Sequence, residues 1–198
     1  MGDSSQPKFL KAVFANLQIA NPREGANLAL ITGAALEGHS SDMIQLLETA
    51  GYKVLTSDVE EGKGVDIVWD LQCAPPAELL GKVNLFVSCS VLEHVPDVIL
   101  AAKNIKKAIC VGGIMYLSVP WVWRYHRYSD DYHRFHASSL NQLFPDSSAI
   151  ARAWSTSPDS KLYKFEEDLD QKLSRTIDGV KFLPYLMLHE LRVMSKGK

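Results

Sequence analysis

Ser88-Cys-Ser-Val-Leu-Glu-His-Val-Pro-Asp97 and, after a short helical interval, Val111-Gly-Gly-Ile-Met-Tyr-Leu-Ser-Val-Pro120 read together as strand, acidic turn, helix, glycine turn and buried strand. The apolar runs Leu85-Phe86-Val87 and Ile114 to Val119 suit strands covered on both faces. Between them Val98, Ile99, Ala102, Ile105 and Ile109 fall on one helical stripe. Two buried strands joined by a helix need a crossover connection, which implies a parallel sheet.

The pattern repeats towards the N-terminus. Leu28 to Thr32 is a short apolar strand ending at Gly33, His39 to Ala50 is a helical run closed by Gly51, and Lys53 to Ser57 is a second strand ending at Asp58. Val65 to Trp69 reads as a third strand ending at Asp70, and Pro75-Pro76 as the first turn of a short helix to Leu80. Ahead of these, residues 1–7 read as a loose tail, and Phe9, Leu10, Val13, Phe14 and Leu17 share one face of a helix. Beyond Pro120 the periodicity stops: Trp121 to His136 is dense in aromatic, histidine and arginine residues and reads as a loop over the site. Ala137 to Phe144 follows as a short helix capped by Ser138 or Ser139, then Ala149 to Ser155 as a strand, a polar insertion or helix over 156–180, and Leu186 to Met194 as a last strand.

A chain of 198 residues, 46% hydrophobic and 22% charged, fits a single α/β domain over residues 1–198. A net charge of −2 offers no broad basic footprint for phosphate backbones, so a nucleic-acid substrate is disfavoured. Cys73, Cys89 and Cys110 are odd in number and fall in or beside predicted core elements, which suits reduced, buried thiols and a cytoplasmic setting. The N-terminus lacks an apolar run of signal-peptide length and no segment has the apolar length to span a bilayer, so no membrane association is expected.

Leu92-Glu93-His94-Val95 and the Gly112-Gly113 to Pro120 stretch resemble the fourth and fifth strands of the Rossmann-like, class I S-adenosylmethionine-dependent methyltransferases, over roughly residues 27–145. The resemblance implies a three-layer α/β/α sandwich around a mostly parallel seven-stranded sheet, with Leu186 to Met194 as an antiparallel seventh strand beside the fifth. It also implies S-adenosylmethionine as cofactor. Ligands of such sheets bind outside the carboxyl ends of the strands. The loop Thr32-Gly33-Ala34-Ala35-Leu36-Glu37-Gly38 is then the one that approaches the cofactor, with Gly33, Ala35 and Gly38 at its close points. It departs from the family, which carries an acidic residue before Gly-x-Gly-x-Gly; Thr32 and Ala35 stand here, leaving Glu37 or Glu93 to meet the methionine ammonium.

Asp58 has the type and place to accept hydrogen bonds from both ribose hydroxyls, or to serve only as a turn residue. By the resemblance Asp70 holds the adenine amino group, its competing role being a helix N-cap. Ser88 and Glu93 lie where the ligand crosses the sheet; Glu93 equally suits the first turn of a helix, with His94 packed on the surface.

The stretch Trp121 to His136 resembles the "His, then Asp-Tyr-x-Arg" segment after the fifth strand in a subset of these enzymes, often near glycan or lipid-sugar biosynthesis. His126 is the best-placed general base, with Tyr132 and His133 behind it, and Arg124, Arg127 and Arg134 suit an anionic acceptor. His133 and His136 at i and i+3, with Asp130 and Asp131 nearby, are physically able to hold a divalent ion. No HExxH or paired CxxC accompanies them, and the expectation is no metal. The expected activity is methyl transfer to a small or sugar-like acceptor, oxygen above nitrogen or carbon. The alternative is the same fold with a decayed cofactor loop, acting as a binding or assembly subunit for a protein partner. A nicotinamide oxidoreductase ranks third, because Gly33 to Gly38 lacks the dinucleotide fingerprint.

Overall fold

A computed structural model describes residues 5–17, 27–33, 39–126, 130–156, 161–166, 175–177, 180–182 and 186–195. In chain order the elements are α1 (Ser5–Leu17), β1 (Leu28–Thr32), α2 (His39–Thr49), β2 (Lys53–Asp58), β3 (Ile67–Val68), β4 (Val83–Cys89), α3 (Val98–Ala108), β5 (Ile109–Val122), α4 (Ala137–Leu143), β6 (Ser147–Thr156), β7 (Leu162–Lys164), β8 (Arg175–Ile177), β9 (Val180–Phe182) and β10 (Leu186–Met194). A 3₁₀ turn at Leu92–His94 separates β4 from α3.

The main sheet runs β3-β2-β1-β4-β5-β10-β6-β7. Its first five strands are mutually parallel, and β10 is antiparallel to both β5 and β6, as expected for the last strand. The sheet has eight strands rather than seven. The extra one, β7, pairs with β6 from inside the stretch read as a polar insertion, and β8 with β9 forms a separate hairpin there. An edge strand with one exposed face carries few apolar residues, which is why Leu162-Tyr-Lys164 does not announce itself.

Alternate residues of the central strands bury on opposite faces. Ala29, Ile31, Leu85, Val87, Tyr116 and Leu191 pack against α1 and α2, whereas Leu30, Phe86, Met115, Leu117, Val119 and Leu188 pack against α3 and α4. This two-sided burial makes three layers. Gly112-Gly113 lies within β5 rather than opening it. The register passes from Val83↔Ile109 to Leu85↔Ile114, so the intervening residues of β5 bulge. Gly112 supplies a φ of 72°, and a Cβ on Gly113 would meet Ile109 Cγ2 at 2.5 Å and Cys110 O at 2.9 Å.

Two local expectations fail for identifiable reasons. Residues 76–80 form turns, not a helix: Leu79 N donates to Pro76 O, and Gly81 N donates to Lys107 O at the end of α3, which diverts the backbone. The cap of α4 is His136, whose Nδ1 accepts from Ser138 N at 3.4 Å while Ser139 Oγ accepts from His136 N at 3.0 Å. Cys73 is exposed rather than buried, and all three cysteines are free.

Residues 5–7 are not a tail. Ser5 and Gln6 are buried in the first turn of α1, and Phe9 stacks on Tyr116 and His189. Tyr116 Oη donates to Gln6 O at 3.2 Å and is 2.9 Å from His189 Nδ1, so that ring nitrogen donates to it. His189 Nε2 then accepts from Ser155 Oγ at 2.8 Å, and Ser5 Oγ donates to Ser155 Oγ at 3.0 Å. Each polar side chain of this network of Ser5, Tyr116, Ser155 and His189 finds a partner. Tyr116→Phe should therefore cost about 1–3 kcal/mol of stability in urea unfolding. It should also raise hydrogen exchange in α1; unchanged exchange there would show that the network does not seat the helix.

Candidate active site

Strand order reverses between β1 and β4, and the carboxyl ends of the five parallel strands share one edge of the sheet. Gly33 closes β1 with a φ of 75°, its N donating to Ser57 O. A Cβ there would lie 2.4 Å from Val91 Cγ2, so the glycine is required by the packing of the β4 turn onto β1. Thr32 is flanked by Ser57 of β2 and Ser88 of β4, and both serine hydroxyls are buried without a hydrogen-bond partner. Ser57 was not singled out in the sequence; only its register beside Thr32 gives it away. Ser90, next along, holds a φ of 55°, an uncommon conformation for a residue with a side chain.

Asp58 ends β2, half-buried, with Oδ1 accepting from Val59 N at 2.7 Å. Asp70 Oδ1 accepts from Gln72 N at 2.8 Å and its carbonyl from Cys73 N, a closed turn with no helix after it, so the N-cap role is not found. Ala35, Glu37, Gly38 and Arg127 lie outside the described residues.

The chemistry gathers at the ends of β4 and β5. Glu93 sits in the 3₁₀ turn with its side chain 1% exposed, and its carbonyl accepts from Tyr132 N at 2.7 Å and His133 N at 3.3 Å. His94 Nδ1 donates to Asp130 O at 2.6 Å, and His133 Nε2 donates to Val95 O at 2.9 Å. These bonds stitch the loop after β5 onto the turn after β4, and Phe135 N donating to Pro120 O anchors it to β5. Inside the loop, Arg134 makes a two-pronged ion pair with Asp131 and donates to the carbonyls of Trp123, Arg124 and His133. Asp131 Oδ2 in turn accepts from His126 N at 3.0 Å.

His126 is thereby brought beside His94, ring centroids 5.0 Å apart and edge-on, and beside Glu93. Its Nδ1 lies 3.0 Å from Asp131 Oδ2 but without hydrogen-bond alignment. Glu93 Oε2 is buried and has no hydrogen-bond partner. Burial, with Asp131 nearby, pushes the Glu93 carboxyl up to about 8. Burial also pushes the Cys89 thiol up, with Glu93 adding to the effect. The hydrogen bond from Arg134 holds the Asp131 carboxyl down at about 2, helped by the backbone N–H of His126.

The other expected residues stand apart from this cluster. Tyr132 is half exposed and donates to Asp130 Oδ2 at 3.3 Å; Tyr125 donates to the other oxygen of the same carboxylate. His133 is spent on the Val95 carbonyl and His136 on the α4 cap, so the i, i+3 pair does not converge as a metal site. His94, for which packing on the surface is the competing reading, faces Glu93, with Nε2 4.0 Å from Oε1.

No family model matches the chain, and no curated protein matches it. Solved structures do. An N-methyltransferase from Burkholderia thailandensis, with 1,6-didemethyltoxoflavin and S-adenosylhomocysteine bound, superposes with a TM-score of 0.62 at 14% identity, over 98% of this chain and 79% of that one. A candidate methyltransferase from Bacillus halodurans gives 0.60 at 12% identity, over 93% and 99%. A chain from the complex of the Haloferax volcanii Trm112 methyltransferase activator with a candidate methyltransferase gives 0.56 at 13%, over 98% and 95%. The fold is that of the class I, Rossmann-like methyltransferases. Among the described residues no helix is long and apolar enough to cross a membrane.

Because Asp131 is deprotonated more easily folded than unfolded, its stabilising effect is full above its ordinary carboxylate range and fades as pH falls towards 2. Asp131→Asn should destabilise the chelator-treated protein at pH 7, and the difference from wild type should shrink as pH drops from about 4 to about 2. Chemical unfolding at several pH values reads it; a constant difference would show that the ion pair does not carry the effect.

Proposed function

We propose that this chain transfers a methyl group from S-adenosylmethionine to an oxygen atom of a small, sugar-like acceptor. The observation that carries the reading is the position of His126, half-buried over the carboxyl ends of β4 and β5 with the Asp131 carboxylate at its Nδ1. The fold supports it, and so do the buried, unpartnered hydroxyls of Ser57 and Ser88 at the strand ends where a ligand of this fold would lie. Asp58 would take the ribose hydroxyls, with Gly33, Ser88 and Glu93 lining the crossing and Asp70 near the base; Ala35 and Gly38 follow from the resemblance alone. When bound, S-adenosylmethionine supplies a methyl group already activated by its sulfonium sulfur.

The remaining work falls to the side chains of this chain. An acceptor hydroxyl held against His126 gives its proton to Nε2, the nitrogen turned from Asp131, and the Asp131 carboxylate stabilises the imidazolium that results. The Arg134 pair fixes Asp131, so the base is oriented before the acceptor arrives. Tyr125, Tyr132 and Asp130 form a polar rim able to hydrogen-bond a hydroxyl-rich acceptor, with Tyr132 second to His126 as a catalytic group. One observation favours the alternative of a binding subunit: Val91, not a ligand, fills the space that Gly33 leaves.

Calorimetric titration with S-adenosylhomocysteine separates the two. Binding in the micromolar range, weakened by about 2–4 kcal/mol in Asp58→Ala with folding intact, is expected. No heat at millimolar ligand would leave the binding-subunit reading. Given an accepted substrate, His126→Ala should lower kcat by roughly 100-fold or more while leaving cofactor affinity unchanged. Equal loss in both would reject His126 as the base.

A further inference from the structure

We propose that Glu93, His94 and His126 form a binding site for one divalent transition-metal ion of the zinc class. One ligand atom from each residue lies within 4.8 Å of the other two. Two imidazoles with one carboxylate make a donor set suited to zinc, cobalt or iron(II), and three protein ligands leave coordination positions open.

Two features separate this cluster from a chance meeting of polar side chains. Its carboxylate wants a partner: Glu93 Oε2 is buried with no hydrogen bond, and Glu93 is 1% exposed. A cation beside it satisfies what no described residue does. The outer groups also hold the rings in place. Because a carbonyl only accepts, the 2.6 Å bond to Asp130 O puts the His94 proton on Nδ1 and leaves Nε2 its lone pair, facing Glu93. Asp131 stands behind His126, itself fixed by Arg134. A backbone carbonyl behind one imidazole and a carboxylate behind the other are the outer partners that metal-bound histidines use.

The use of the ion rests on the reading above, that an acceptor oxygen is held here. Bound at an open position, that oxygen would be polarised and oriented by the ion and would lose its proton to solvent; His126 is then a ligand in the ion-loaded site and takes the role of base only where no ion is bound.

The test uses the full chain carrying Cys73→Ser, which removes an exposed thiol ligand, after EDTA treatment and removal of the chelator. Zn²⁺ is titrated calorimetrically and Co²⁺ is followed by its visible d–d absorption. Expected is one ion per chain, displaced from Co²⁺ by Zn²⁺, with affinity falling roughly 100-fold in Glu93→Gln and His94→Gln and roughly 10-fold in Asp131→Asn. Asp146→Asn, at an exposed ion pair with Lys106, should change nothing. No binding, several weak ions, or equal affinity in folded His94→Gln would overturn the proposal, and should Glu93→Gln not fold, His94→Gln decides. Titrating the same metal-free sample with S-adenosylhomocysteine keeps the two readings apart: that ligand bound without Zn²⁺ binding sinks the ion alone, and Zn²⁺ bound without it sinks the methyl-transfer reading alone.

Discussion

Strand β5 must satisfy two edges at once, parallel to β4 on one side and antiparallel to β10 on the other, and the remainder of the molecule is arranged around that demand. A strand hydrogen-bonded on both sides and covered by helices on both faces has no exposed backbone, so its residues from Met115 to Pro120 are apolar or, like Tyr116 and Ser118, tied into buried polar pairs. Ser118 O accepts from Ser90 N, which ties the end of β4 to β5 and sets Ser90 in its uncommon conformation. The turn carrying Glu93 begins there. The placement of the candidate site thus starts with backbone pairing, well before any catalytic side chain is considered.

A second constraint acts on the loop after β5. Among its described residues, 123–126 and 130–136, it has no regular structure, so its backbone polar groups need side-chain partners. Arg134 supplies three carbonyls with donors and pairs with Asp131, while Asp131 takes the amide of His126. The same two side chains that hold the loop also hold the histidine. Removing either would move His126, so function and local folding are coupled at this point, and a loss of activity in Arg134 variants would say little by itself about substrate charge. Of the three arginines read as suiting an anionic acceptor, Arg134 is already committed to the protein.

How much of this was legible follows from where each signal lives. The apolar runs of β1, β4 and β5 and the stripe of α3 are dictated by two-sided burial, and they stand in the sequence plainly. The start of α1 was hidden because Ser5 and Gln6 look like solvent-facing residues; only the distant Tyr116, His189 and Ser155 make their burial affordable. β7 was hidden by its edge position, and the turns at 76–80 by a hydrogen bond to Lys107, far along the chain. At the site, His126 was legible as a candidate base but the carboxylate beside it was not. Asp130 and Asp131 are adjacent and chemically alike, and only the folded loop turns one towards His126 and the other towards the tyrosines. The metal-like spacing of His133 and His136 was real but misleading, because both rings are used by the backbone.

His94 shows the limit most clearly. Sequence places it in the turn after β4 and says nothing of which nitrogen carries its proton, yet that choice decides whether the ring can act as donor, acceptor or ligand. The answer comes from the carbonyl of Asp130, a group every residue possesses and no pattern reveals. Because that carbonyl sits in the loop organised by Arg134, the lone pair of His94 depends on an ion pair in which His94 takes no part. Glu93 depends on the same loop, since the amides of Tyr132 and His133 bind its carbonyl and close the turn over its carboxyl. One folding event, the docking of residues 130–135 onto 93–95, therefore brings His94, His126, the Asp131 carboxylate and the buried Glu93 together; without it they would be four separate polar residues at the rim of a parallel sheet.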